Sequence, residues 1–235
     1  MKLLKRVIAA SSLFVLTLTP IQASANVLQK DTLNPPPTVI IENDIDVPEE
    51  IIEQLIMENP DVGSIHILDY GDMEQNLVQP QIVQPQISSS LLDPIGWTSR
   101  YENIKTTLTR HVADSLAKDE FKFSVARGET VTLSQTYEGS LTGSYTGSVV
   151  GDIGVSFSVK ATYLKGTTYS GPAENSAYNS REFRMKFYQD IGTYNQTADL
   201  VTYHYLVKIS SEPKSFTGTY YKPTKYLSYS LDKKL

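Results

Sequence analysis

Cysteine is absent from the 235 residues, and with it go disulfide staples, thiolate metal sites and a lipid-bearing cysteine behind an export signal. Tryptophan occurs once, at Trp97, and histidine only at His66, His111 and His204, so imidazole catalysis has few candidates. His204 stands between Tyr203 and Tyr205 with no serine or aspartate motif beside it, and reads as a strand-surface residue. Walker, Rossmann, H-E-x-x-H and EF-hand patterns are missing. The stretch GSYTG at 143–147 fails as a nucleophile elbow, because Tyr145 stands where the serine belongs. Glu42, Asp44 and Asp46 alternate but lack the glycine and closing glutamate of a calcium loop, so they read as a solvated acidic segment. The expectation is a protein without enzymatic activity, cofactor or bound metal.

What is present begins with an export signal. Lys2, Lys5 and Arg6 precede an apolar run from Val7 to Leu18, followed by Pro20 and Ala23-Ser24-Ala25. Basic start, apolar core and small-residue site in that order predict secretion with cleavage after Ala25. The run is shorter than the roughly 20 residues of a spanning helix, and no second one approaches that length. The expected location is extracellular, and a cysteine-free exported chain suits a Gram-positive bacterium.

Charge divides the remainder of the chain. Residues 26–94 carry one base against thirteen acids, a balance of −12, whereas residues 95–235 carry +4. This predicts an acidic leader over 26–75, a linker over 76–96 and a mildly basic body over 97–235. In the leader, Ile51, Ile52, Leu55 and Ile56 recur at helical spacing behind Pro48, with Asp46 as candidate cap and Asn59-Pro60 as stop. Ser64 to Leu68 reads as a short strand. The linker repeats V-Q-P-Q-I, a pattern that reads as a spacer or an extended arm. The opposed charges suggest that the leader covers the body as a removable pro-segment, with a solubilising spacer as the plainer alternative.

The body reads as antiparallel β structure, sandwich-like, from period-two runs at 121–126, 183–188, 201–209 and 227–231. Tyr101 to Lys118 is ambiguous, since Ile104, Leu108, Val112 and Leu116 also fit a helix. The most regular segment is 139–163. Gly139, Leu141, Gly143, Tyr145, Gly147 and Val149 alternate with hydroxyls, and Ile153, Val155, Phe157, Val159, Ala161 and Tyr163 resume the pattern. Both apolar sets are odd-numbered, so a three-residue turn at Val150–Asp152 would place them on one face, pairing Val149 with Ile153 and Gly139 with Tyr163. Each arm holds eleven residues, and a membrane-crossing strand needs about 9–11. The odd face either packs inside a sandwich, where glycine lets sheets approach, or faces lipid.

In its Ser/Thr-rich alternation this hairpin resembles the insertion hairpin of the aerolysin-like (ETX/MTX2) β-pore-forming proteins. The resemblance spans about 121–172 and is one of pattern. It implies a β-rich body, a hairpin folded away before use, and homo-oligomers at a membrane. The chain departs from the family in lacking an evident receptor-binding domain, and three glycines thin the would-be lipid face.

Thirteen of the fifteen tyrosines lie from Tyr137 onward, and TYYKPTKY gathers Tyr220, Tyr221, Lys222, Lys225 and Tyr226 into a candidate surface-binding patch. A +4 body is too weakly basic to imply nucleic acid. Two functions are therefore expected: binding of a cell-surface glycan, wall polymer or other envelope component, or insertion of hairpin 139–163 into a lipid membrane.

Overall fold

The computed structural model describes residues 36–42, 44–72 and 96–234. The export segment with Ala25, and most of the Gln/Pro linker, lie outside the described residues. The chain is mainly β, as its alternation predicts. Its frame is a ribbon of three long antiparallel strands: β3 (Trp97–Ala126), β9 (Ser180–His204) and β10 (Val207–Lys233). At about 3.3 Å per residue, β9 alone reaches about 80 Å. Between β3 and β9 come the short strands β4 (Thr130–Thr132), β5 (Tyr137–Thr142), β6 (Ser144–Tyr145), β7 (Ser158–Tyr163) and β8 (Thr168–Ser170). β4 pairs with β8 and β5 with β7, each as a separate two-stranded ladder, while β6 joins the edge of β10.

The ambiguous stretch 101–118 is strand, because pairing with β9 supplies the backbone partners that local helical spacing would have supplied. β3 is an edge strand, with register shifts between Glu102 and Lys105, Arg110 and Val112, and Val112 and Ser115. Such bulges twist an edge away from further pairing. Ile104, Leu108, Val112 and Leu116 stay substantially exposed along it. Asp114 takes the left-handed conformation, φ 48°, at one irregularity; its amide donates to Asp190, which Arg110 also contacts at 3.3 Å.

The leader is a β-α-β unit: β1 (Thr38–Ile41), α1 (Glu49–Glu58) and β2 (Ser64–Asp72), with β1 and β2 parallel. The helix forms where the isoleucine stripe predicts it, but Pro48 occupies the cap position and makes no side-chain cap bond, so Asp46 is not the cap. Asn59 closes the other end, its amide side chain donating to Leu55 O at 2.9 Å. β1 is four residues long and mostly exposed, too short for a periodic signal in the sequence.

The leader belongs to the same sheet as the body. β2 pairs antiparallel with β10 from Lys225 to Leu231, giving one sheet in the order β1-β2-β10-β9-β3. Ile51, Leu55, Ile65 and Ile67 share a core with Tyr188, Leu227, Tyr229 and Leu231 of the body. Lys186 is 1 % exposed and its ammonium pairs with Glu58 at the end of α1. Asp232 accepts two guanidinium bonds from Arg181, at 2.6 and 3.0 Å, and a third bond from Ser64 of β2 at 2.7 Å. Apolar and ionic contacts both span the boundary that composition drew.

Removing one member of a buried ion pair strands the other. Glu58→Gln is therefore expected to lower unfolding stability by about 1–3 kcal/mol, read as a lower urea midpoint with unchanged slope. His66 supplies a pH dependence. Burial, then the nearby Arg181 charge, holds its imidazole below the ordinary 6.5, against smaller opposing effects of Asp232 and Glu42. The folded state thus favours the neutral ring, so its contribution is intact above the ordinary value and is lost as pH falls through it. Urea midpoints should drop between about pH 7.5 and about pH 5, and His66→Gln should flatten that drop.

Candidate functional site

The hairpin face predicted to be apolar is sealed. Val155, Val159, Ala161, Tyr163 and Ile153 are each 4 % exposed or less, while Ser140, Thr142, Ser156, Ser158 and Lys160 face solvent. Leu141 and Val149 are half-buried against neighbouring clusters. Phe157 is half-buried with the Lys222 ammonium 5.8 Å from its ring, and Tyr145 is 36 % exposed, edge-on to Tyr194. The hydroxyl face is knit by Thr142 to Ser158 at 2.7 Å and by an exposed Lys160–Glu138 pair.

The register differs from the expected one. Gly139 pairs with Ala161 and Leu141 with Val159, a slip of two residues that keeps every side chain on its face. The turn at Val150–Asp152 does not close the ladder, and Val149 does not pair with Ile153. Regular pairing ends at Thr142–Ser158, after which the Gly143 amide donates to Phe157 O at 2.8 Å. The first arm then leaves its partner, and Ser144 and Tyr145 pair with Tyr221 and Tyr220 of β10. Residues 146–157 fold as an irregular loop beyond. Competition from the edge of β10 decides this, and local pattern carries no trace of it.

The glycine tetrads are contact points. A Cβ on Gly139 would lie 2.8 Å from the Phe187 ring and 2.9 Å from Met185 Sδ, so glycine lets the hairpin settle onto the sheet. At Gly143 a Cβ would lie 1.6 Å from Val155 O, which excludes any side chain. The base of the hairpin packs on Val125, Phe183, Met185 and Phe187. Tyr163 anchors it, its hydroxyl donating to Arg184 O at 2.7 Å and Tyr229 O at 3.2 Å, and burial pushes that phenol well above its ordinary value.

The loop is held differently. Ile153 and Val155 form a small cluster with Tyr194 and Tyr220. The Tyr194 hydroxyl donates to Thr146 O and Ser148 O, both at 3.1 Å, and the Val150 amide donates to Gln196 Oε1 at 2.7 Å. Phe187 and Tyr194 differ in parity along an unbulged stretch of β9, so base and loop meet opposite faces of that strand. The segment crosses the sheet plane at β6.

The tyrosine–lysine patch is not gathered on one surface. Tyr220 is buried under the loop, Lys225 pairs with Asp114 at 2.7 Å, and Tyr226 donates to Asp69 at 3.1 Å, with burial pushing its phenol up to about 12. Tyr221 and Lys222 remain partly open, as do Lys225 and Tyr226, and the bulge between Pro223 and Lys225 separates the two pairs. Alternation sends neighbouring residues to opposite faces, and a run of like residues in sequence hides this.

Ser64 and His66 lie 3.1 Å apart, with Glu42 3.7 Å from the far ring nitrogen, a nucleophile–base grouping that no sequence motif announces. The Ser64 proton goes to Asp232, so this serine accepts from His66, and the group works as a tie between β2 and β10. Comparison with family models, curated proteins and solved structures finds no match to this chain.

Tyr194→Phe removes the two loop-holding bonds made by its hydroxyl while keeping the ring. Global stability should fall by about 1 kcal/mol, with faster amide exchange confined to residues 146–156. A loop that exchanges no faster would mean that Ile153, Val155 and the Gln196 bond hold it without the tyrosine hydroxyl.

Proposed function

We propose that this is a secreted β-pore-forming protein in which segment 139–163 leaves the body and crosses a membrane as a hairpin. One observation carries the reading: β5 and β7 pair only with each other, and the backbone ladder tying the segment to the main sheet is the two-residue match of β6 with β10. Release therefore breaks few backbone bonds, and the remaining attachment is mostly side-chain packing.

That packing is transferable. Burying a Val, Ile or Leu side chain is worth about 1.5–3 kcal/mol whether the cover is protein or lipid. Leu141, Ile153, Val155 and Val159 would exchange the Phe187 and Tyr220 surfaces for hydrocarbon, and Ser140, Thr142, Ser158 and Lys160 would line an aqueous lumen. The uncovered body surface, including Met185 and Phe187, must then be buried again, which assigns that role to association between copies. The irregular loop 146–157 has to straighten, and Gly147, Gly151 and Gly154 permit it.

A tether tests the reading better than a charged substitution, because an aspartate at the fully buried Val155 would unfold the protein. Ser144 and Tyr221 are antiparallel partners, a spacing that a disulfide spans, and the chain has no cysteine to compete. Oxidised Ser144→Cys/Tyr221→Cys protein should release no dye from lipid vesicles and should regain release on reduction. Undiminished release by the oxidised form, or none by the unmodified chain, would overturn the reading.

A further inference from the structure

The ribbon ends in an apex unlike the rest of its surface. β9 turns into β10 through Tyr205 and Leu206 alone, since His204 pairs with Val207. Tyr205 is 68 % exposed, Leu206 94 %, Val207 62 % and Ile209 53 %, and the single tryptophan, Trp97, is 40 % exposed beside them. Trp97 stacks on His204 with ring centroids 4.5 Å apart, and Gly96 O accepts the Tyr205 amide at 3.0 Å, so β3 is bound into the same apex.

The turn carries residues its geometry disfavours. Both central positions have positive φ, 46° at Tyr205 and 73° at Leu206, the two-residue hairpin turn that asparagine and glycine suit and leucine does not. A strained backbone that displays a fully exposed leucine is retained against the interest of stability.

We propose that this apex is a membrane-docking wedge, which enters the interfacial zone of a lipid bilayer. Three observations select lipid. The apex is the convex end of three strands and presents only a few side chains, whereas a stable protein interface needs about 800 Å² on each partner. Its composition, tryptophan and tyrosine flanking leucine, valine and isoleucine, is that of the membrane interface. Its charge suits a bilayer interface: Arg100 neutralises Glu102 at 2.6 Å, Asn103 bonds Asp199, and Lys208, exposed between Val207 and Ile209, is a long cation able to reach headgroup level while its stem lies along the apolar cluster. Attachment is therefore hydrophobic, extends to uncharged lipid and resists salt.

The wedge is a different surface from the hairpin, and Trp97 reports on it directly. On mixing full-length protein with phosphatidylcholine vesicles, Trp97 emission should shift to the blue and be quenched by brominated acyl chains, in low and high salt alike. Tyr205→Asn/Leu206→Gly relieves the turn, so it should unfold at a higher urea concentration than the parent while partitioning into vesicles about tenfold more weakly or worse. Oxidised Ser144→Cys/Tyr221→Cys protein should still bind vesicles and shift Trp97 while releasing no dye, which separates docking from insertion. Vesicle binding unchanged in the turn variant, binding that vanishes with salt, or a Trp97 shift produced by self-association without lipid would each overturn the wedge.

Discussion

At residues 185–188 strand β9 is covered on both faces, and the rest of the molecule is arranged around that constraint. Between residues 185 and 188 no side chain has solvent to turn to. Met185 and Phe187 lie under the hairpin, while Lys186 and Tyr188 lie under the leader helix and its strand. A strand between two layers needs both, so an acidic leader and a hydroxyl-rich hairpin, unlike in composition, are equally part of the folded core. Lys186 makes the dependence strict: a buried ammonium is tolerable only with its carboxylate, and Glu58 comes from the leader.

The two covers are attached unequally. The leader enters the sheet through a long ladder with β10 and a shared apolar core, so its removal would expose β10 as well as β9. The β5–β7 ladder keeps its backbone pairing to itself and lends the sheet its apolar face, while the segment beyond it is tied to the body by the short β6–β10 match and by side-chain bonds. A ladder whose backbone is satisfied internally can move between environments without unpairing its amides, which is the condition a bilayer imposes, and only the stretch from Ser144 to Val150 would have to exchange partners. Its glycines serve the folded-away state: they bring the hairpin close to the sheet and thin the face it would show to lipid, so the same residues that favour storage make insertion depend on neighbouring copies.

The hydroxyl grouping at Ser64 and the tyrosine–lysine run at 220–226 show how residue type misleads when direction is unknown. A serine and a histidine 3.1 Å apart resemble a nucleophile and its base, yet the serine proton is directed to Asp232. Five tyrosines and lysines in seven positions suggest a surface until the pleat and a bulge send them to a core, an ion pair and a carboxylate. The exposed aromatic and aliphatic cluster lies at Trp97 and 205–209 instead, residues more than a hundred positions apart that only the β3–β9–β10 pairing brings together.

Local spacing by itself determined the β class, the helix at 49–58 and the two faces of segment 139–163, because side-chain direction follows period two in a strand and 3.6 in a helix, and both are local. It did not determine the hairpin register, the crossing at β6, the strand state of 101–118 or the union of leader and body. Each of those is a choice of partner for a backbone edge, made between segments distant in the chain. Only the tertiary structure decides it, because the free energy of a ladder resides in the pair and neither strand carries it alone.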